Sequence, residues 1–261
     1  MSPKRYQPAR RIRGVDAHGM PIPAFEVKRT WPIGLLIASH ARHGILMTLG
    51  VTVAAALSGR STREVGLVLA TVLVGQFVLG VHNDLVDRQR DHDNDRLGKP
   101  LAEGWLDPST AGFAIAAGAL LVIPLSLESG MVAGLSHLGF LAVAMLGNAG
   151  LLRKGALSFL PWMISFGLLT AFLAYGGWRG DGSDTPPTIA LTACAALLGA
   201  GVHVVHSLPG LVDENRSGWK TLPLRIALKI GAAKTLLVAV VYLTVVGAAT
   251  IAVAVSVGLR Q

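Results

Sequence analysis

The stretch VGLVLATVLVGQFVLGVHNDLVDRQRD, residues 65–91, joins an apolar run directly to a cluster of aspartates. Its first part, residues 65–84, is long enough for a membrane-spanning helix, which needs about 20 predominantly apolar residues. We expect the helix to continue through Asp91, past the membrane boundary. Five aspartates fall within residues 84–95, although the whole chain of 261 residues has only 15 Asp and Glu. The stretch therefore indicates a membrane protein with an acidic site at one membrane surface.

The composition of the chain supports this interpretation. Hydrophobic residues make up 52% and charged residues 15%, and the mean hydropathy is +0.55. In lipid every backbone polar group must be satisfied within the protein, so the apolar runs are expected to be helices. The sequence thus predicts an all-α, polytopic membrane bundle of about seven transmembrane helices. The spans are expected near residues 33–57, 65–84, 109–126, 131–151, 156–177, 187–208 and 232–257.

The distribution of basic residues predicts the orientation. Of the 23 Lys and Arg, 18 lie in the N-terminal segment and after the second, fourth and sixth spans. Because loops that stay in the cytoplasm carry the excess of Lys and Arg, the N-terminus and the aspartate segment are expected there. We expect an integral protein of the cell's inner (plasma) membrane, with a basic cytosolic tail (1–30) and one transmembrane domain (31–261). The net charge of +8 indicates attraction to anionic membrane lipids, not to nucleic acid.

The aspartates form one face of the second predicted helix. Asp84, Asp87 and Asp91 are spaced i, i+3 and i+7, and Asn83 lies four residues before Asp87. Such positions share one side of a helix. Carboxylates held close together take up protons or bind a cation. Oxygen ligands without accompanying His or Cys favour Mg²⁺, which commonly also binds substrate phosphates.

Basic residues and a second acidic segment complete the pattern. Arg96 and Lys99 follow the aspartates and could bind anionic oxygens. After the sixth span, Asp213 and Glu214 supply further oxygen ligands, and Lys220 lies close behind them. The predicted topology places both segments at the same membrane face. Together they indicate a site for a metal-bridged phosphate ligand.

These motifs resemble those of the UbiA superfamily of intramembrane prenyltransferases. NDLVDRQRD, residues 83–91, fits the family's first pattern, NDxxDxxxD, and R..KPL at 96–101 fits its continuation. LPGLVDENRSGWKTLPLR, residues 208–225, is similar to the second-motif region of one branch, and LSFLPW at 157–162 is similar to the start of the fifth helix. The resemblance covers most of residues 31–240.

The resemblance implies a helical bundle around a central cavity, with the polar pocket near the cytoplasmic face. It implies Mg²⁺-dependent ionisation of an isoprenyl diphosphate and transfer of the prenyl group to an aromatic or lipid-like acceptor. The catalytic residues would be Asp87, Asp91 and Asp213. The implied metal ligands are Asn83, Asp84, Asp87, Asp91, Asp213 and Glu214, and the implied diphosphate-binding residues are Arg96, Lys99, Arg153, Lys154 and Lys220. His40 and Arg42, at the cytoplasmic start of the first span, are acceptor candidates.

The chain departs from the family pattern at three points. Gly210 stands where the second motif normally opens with an aspartate, and Glu214 replaces a second aspartate. Asn148 stands where a tyrosine is common, so Arg153 or Lys154 must serve as the following base. Seven expected spans are also fewer than the nine that are common in the family.

Other functions remain open from the sequence. A UbiA-type terpene cyclase would use the same acidic residues without an acceptor. A membrane protein that binds polyprenyl phosphates without catalysis would fit the missing acid at Gly210. A transporter is disfavoured because its acidic residues would be expected near mid-membrane. The prenyl chain length, the acceptor and the oligomeric state are not predicted.

Overall fold

A computed structural model describes residues 30–177 and 185–257 of the chain. Within these ranges the regular structure is entirely helical, which confirms the predicted all-α class. The expected cytosolic tail lies outside the described residues, apart from Thr30. The helices are α1 (Trp31–Ala38), α2 (Ala41–Leu57), α3 (Thr62–Asp93), α4 (Pro108–Leu127), α5 (Met131–Asn148), α6 (Leu160–Ala174), α7 (Ile189–Ser207), α8 (Leu211–Arg216), α9 (Leu222–Ile230) and α10 (Ala232–Val257), with a 3₁₀ turn at Leu208–Gly210.

Five of these helical stretches are long and apolar enough to cross a membrane: α3, α4, α5, α10 and the continuous run Ile189–Arg216. Two further apolar helices are shorter, since α2 has 17 residues and α6 has 15. A spanning helix needs about 20 residues when it stands upright. The predicted membrane-helical architecture is therefore confirmed, whereas the count of seven spans is not.

The second expected span is the longest helix of the described chain. Helix α3 has 32 residues and runs through Asp91 to Asp93, as the sequence predicts. A capping box starts it: Ser61 Oγ accepts from Glu64 N at 3.4 Å, and Glu64 Oε2 accepts from Ser61 N at 2.8 Å. These reciprocal bonds satisfy donors that the first turn leaves free. At its other end, the helix extends beyond the apolar span and carries the aspartates.

The first expected span is broken at His40, which separates α1 from α2. His40 adopts the left-handed conformation, with φ 51° and ψ 45°. At this break α3 approaches closely, since a Cβ on Gly80 would overlap the carbonyl group of Ser39. Only glycine permits such contact between two backbones. The break places His40 next to the acidic end of α3.

The helices pack mainly in chain order. Each apolar helix from α2 to α7 contacts the next one, and α10 packs on α7 and α9. A buried core of Val68, Val72, Val122, Phe140 and Phe172 joins α3 to α6. Many large apolar side chains remain exposed on the outer faces, such as Leu46, Phe113 and Leu237. In a membrane protein these faces contact lipid.

Candidate active site

Three aspartates of α3 are buried. Asp84, Asp87 and Asp91 are 2%, 6% and 2% exposed, whereas Asp93 and Asp95 are exposed. Burying an ionised carboxylate costs free energy unless it gains a partner. The structure therefore separates the three aspartates of one helical face, which need partners, from two that water can solvate.

Asp84 is paired by residues that precede and follow it in the chain. Lys99 Nζ forms an ion pair with Asp84 Oδ1, and His40 Nε2 lies 3.3 Å from the same oxygen. Lys99 Nζ is also 3.7 Å from Asp91 Oδ2 and 3.2 Å from His40 Nε2. The chain turns back after α3 because Asp95 and Gly98 adopt positive φ values of 52° and 78°. This turn returns Lys99 to the helix that it has just left.

Asp87 lies between two arginines. Its Oδ2 accepts from Arg90 Nη2 at 3.0 Å and from Arg153 Nη2 at 2.5 Å. Arg153 comes from the loop after α5, and its Nη1 also donates to the Asn148 carbonyl at 2.7 Å. Asn148 Oδ1 in turn accepts from Asn83 Nδ2 at 3.3 Å. Asn148, at the position where the family commonly has a tyrosine, thus connects α3 to the basic loop.

Arg96 connects the two acidic segments. Its Nε and Nη2 lie 2.7 Å and 2.6 Å from Asp213 Oδ2, and its Nε lies 3.7 Å from Asp91 Oδ1. Asp213 belongs to α8, which follows the membrane helix α7. Glu214 points to a different partner, since its Oε2 accepts from Thr221 Oγ1 at 2.6 Å. The structure therefore brings Asp213 to the first cluster and ties Glu214 to its own loop.

The other residues that the sequence predicts for the site lie at the edge of the paired acidic and basic side chains. Lys154 and Lys220 are exposed and form no ion pair within the described ranges. Lys220 N donates to the Lys154 carbonyl at 3.0 Å, which joins their two loops. Arg42 is exposed on α2, two residues after His40, and only His40 of the two acceptor candidates touches the acidic group.

A group of rings lies beside His40. The ring centroids of His43 and His206 are 5.2 Å apart, and that of Trp162 is 5.0 Å from His206. His203 is engaged, because its Nε2 lies 3.0 Å from Ser158 Oγ. His206 is exposed and forms no hydrogen bond within the described residues.

Two residues of the site were missed at the sequence level. Arg90 pairs with Asp87, and its i+3 spacing on the same helix could have indicated this contact. Trp219 lies against Arg90 and Arg153, and no local pattern marks it. Both residues extend the basic side of the site.

The donor set fits a hard divalent cation in chemical type. No group of three or more His, Cys, Asp or Glu is arranged to hold a metal ion within residues 30–177 and 185–257. The acidic oxygens are instead paired with bases. However, Asp84 Oδ2 and Asp91 Oδ1 are buried without a hydrogen-bond donor. Buried acceptors of this kind are the oxygen ligands that Mg²⁺ prefers.

Comparisons with known proteins show the family of the chain and solved structures with a similar fold. The model of the UbiA prenyltransferase family matches residues 45–260. The fold is similar to the structure of a UbiA homolog from Archaeoglobus fulgidus bound to GPP and Mg²⁺, with a TM-score of 0.64 and 16% identity over 83% of this chain and 76% of that chain. The same homolog bound to DMAPP and Mg²⁺ gives 0.63 and 16% over 83% and 75%.

A structure described for digeranylgeranylglyceryl phosphate synthase in membranes is also similar. Its TM-score is 0.58, with 19% identity over 81% of this chain and 75% of that chain. No sequence match was found among proteins with curated descriptions.

Proposed function

Because this chain belongs to the UbiA prenyltransferase family, we propose that it is a Mg²⁺-dependent intramembrane enzyme that ionises an isoprenyl diphosphate and transfers the prenyl group to an acceptor. One observation carries the proposal. The buried carboxylates of Asp84, Asp87 and Asp91 meet basic side chains from separate loops, at the end of a helix that runs beyond its apolar span. Such a site can bind a cation and an anion together. The related structures with GPP or DMAPP and Mg²⁺ support the choice of ligands.

The acidic residues would hold the metal. Mg²⁺, when bound, would neutralise negative charge on the diphosphate and so favour its departure. Asp84 and Asp91 each offer a buried oxygen without a donor, and Asp213 lies close to Asp91 because both contact Arg96. Asp87, Asp91 and Asp213 are the proposed catalytic residues. The complete proposed ligand set is Asn83, Asp84, Asp87, Asp91, Asp213 and Glu214.

The basic residues would bind the diphosphate oxygens. Lys99, Arg96 and Arg153 are already gathered around the carboxylates, and Lys154 and Lys220 lie nearby on the cytosolic loops. Charged donors fixed in place stabilise the negative charge that develops on the leaving group. They act most strongly where water is excluded, since the effective dielectric constant is low there. The chain's own bases thus complement the metal.

The acceptor would approach from the side of His40. This residue contacts Asp84 and Lys99, so a molecule beside it would lie close to the diphosphate. Arg42 and the ring of His206 belong to the same side of the bundle and are candidates for polar contacts. The acceptor itself is proposed only as an aromatic or lipid-like molecule.

We further propose that residues 31–261 act as one domain of the cell's inner membrane, with the acidic site facing the cytoplasm. The excess of Lys and Arg in the N-terminal segment and alternate loops supports this orientation. Thiol labelling tests this orientation. Single cysteines would be placed at the exposed positions Asp93 and Ser61, in a protein that lacks Cys194, and their access to thiol reagents would be measured. Labelling of residue 93 from the outside of intact cells would contradict it.

The proposed activity predicts Mg²⁺-dependent release of pyrophosphate. Purified protein in lipid nanodiscs would be incubated with geranyl diphosphate (GPP) and longer prenyl diphosphates, with and without aromatic and lipid-like alcohols. We expect release that requires Mg²⁺ and an acceptor and that is lost with EDTA. Release accompanied by a hydrocarbon or alcohol product would instead show cyclisation or hydrolysis. No release with any substrate would contradict the enzymatic proposals.

Replacement of Gly210 by aspartate is expected to strengthen metal binding. Gly210 has an ordinary φ of −98°, and an added Cβ would meet only the Nη2 of Arg96, at 3.4 Å. An added carboxylate would therefore fit beside Arg96 and supply a further oxygen ligand. We expect a roughly tenfold lower Kd for Mg²⁺ in the presence of GPP, which corresponds to about 1.4 kcal/mol of binding free energy.

Isothermal titration calorimetry would measure this Kd for the wild type, Gly210→Asp and the neutral control Gly210→Asn. An equal affinity of the aspartate and asparagine variants would show that residue 210 lies outside the metal site.

A further inference from the structure

The indole ring of Trp219 contacts cationic groups from two other parts of the chain. Its ring centroid lies 4.6 Å from Arg90 Cζ, 5.1 Å from Arg153 Cζ and 5.9 Å from Lys154 Nζ. Arg90 belongs to α3, and Arg153 and Lys154 belong to the loop between α5 and α6. Trp219 itself lies between α8 and α9. One aromatic ring thus joins three segments at the basic side of the site.

The two guanidinium groups need such a contact. Arg90 and Arg153 approach the same Oδ2 of Asp87, so two positive charges share one negative charge. Their side chains are only 23% and 20% exposed, which limits screening by water. The face of an indole ring is electron-rich and attracts cations. Trp219 therefore offsets the repulsion between the two arginines and stabilises their side-by-side arrangement.

The position of Trp219 is set by its own loop. Trp219 N donates to the Glu214 carbonyl at 2.9 Å, and the next residue, Lys220, donates its N–H to the Lys154 carbonyl at 3.0 Å. Thr221 Oγ1 donates to Glu214 Oε2 at 2.6 Å. These bonds hold the loop independently of the arginines. They fix the backbone from which the ring extends towards the guanidinium groups.

We propose that Trp219 is a positioning residue for the diphosphate: its ring holds Arg90 and Arg153 in the paired orientation that binds the charged group of the substrate. The inference rests on the proposed function, because it concerns the same diphosphate site. It adds Arg90 to the basic residues of that site and assigns a role to Trp219, which need not touch the substrate. It also concerns specificity, since two paired guanidinium groups match a diphosphate better than a monophosphate.

Binding measurements with GPP and geranyl monophosphate test this role. Full-length protein in nanodiscs with Mg²⁺ would be titrated as wild type, Trp219→Ala and Trp219→Phe. We expect Trp219→Ala to raise the Kd for GPP about tenfold and the Kd for the monophosphate less than about threefold, because a pair of cation–π contacts is lost. Trp219→Phe should restore GPP binding to within about threefold of the wild type, since phenylalanine keeps an aromatic face.

Trp31→Ala is the matched control, because it removes the same type of side chain from a position that is 63% exposed at the start of α1. The control should keep both the GPP affinity and the thermal midpoint of the wild type. In the steady state, Trp219→Ala should raise the KM for GPP and leave the KM for the acceptor unchanged.

The results of these measurements distinguish the proposed role of Trp219 from the proposed function of the protein. GPP binding by Trp219→Ala equal to that of the wild type would overturn the role of Trp219 and leave the proposed function intact. Equal losses of GPP and monophosphate affinity, or a phenylalanine variant as weak as the alanine variant, would also overturn it. A wild-type protein that binds no GPP would reject the proposed function, and the inference with it.

Discussion

Asp87→Asn is expected to lower the rate of Mg²⁺-dependent pyrophosphate release by about 1,000-fold, which corresponds to roughly 4 kcal/mol in the activation barrier. Asp87 is 6% exposed and accepts from both Arg90 and Arg153. An amide of the same shape cannot balance two guanidinium charges, and it is a weaker ligand for a hard cation. The substitution therefore removes a metal ligand and leaves two adjacent cations without their shared partner.

The helix offers a matched control for this experiment. Asp93 lies six residues further along α3, is exposed, and accepts from Gln89 Nε2 at 2.9 Å. Asp93→Asn should keep the wild-type rate within about twofold, as exposed polar substitutions rarely have large effects. Pyrophosphate release and GPP binding would be measured for both variants. A rate for Asp87→Asn within about fivefold of the wild type would mean that the acidic face is not the reaction site.

Gly80→Ala is expected to destabilise the bundle by about 3 kcal/mol, at the upper end of overpacking effects. The added methyl group would overlap the Ser39 carbonyl, and backbone atoms cannot move away as the end of a long side chain can. This cost exceeds the roughly 1 kcal/mol that alanine gains over glycine in a helix. A protein of this size should then lose about 10 °C in its thermal midpoint.

Gly66→Ala is the corresponding control, because a Cβ at Gly66 of the same helix would have no neighbouring atom within 4 Å. It should unfold at or above the wild-type temperature. Thermal unfolding in nanodiscs, followed by intrinsic fluorescence or light scattering, would compare the two variants. GPP binding should also weaken in Gly80→Ala, because the Ser39–His40 break holds His40 against Asp84. Equal midpoints for the two variants would show that α1 and α3 can separate here without cost.

The sequence predicted those parts of the site that depend on local spacing. Asp84, Asp87 and Asp91 share one face of any continuous helix, and the apolar run before them makes that helix necessary in a membrane. Arg96 and Lys99 follow closely, so a single turn of the chain returns them to the aspartates. The all-helical fold was predictable for the same reason, since the membrane leaves few alternatives.

Features that depend on contacts between distant residues could not be predicted in this way. The break at His40 has no proline or glycine to mark it, and the glycine that packs against it, Gly80, lies on another helix. The position of Trp219 requires the loop between α8 and α9 to pack near α3, and a solvated loop has the same sequence character. The length of α6 was also overestimated, since the apolar residues before Leu160 form turns and not helix.

The neighbour-to-neighbour packing of the helices has a consequence for biosynthesis. Each apolar helix from α3 to α7 packs on the helix made just before it, and α10 docks on α7 and α9. Contacts between elements close in sequence form quickly, because little chain entropy is lost in bringing them together. A ribosome-bound chain could therefore build this bundle helix by helix as it enters the bilayer. The acidic site would be completed late, when α8 delivers Asp213 to Arg96.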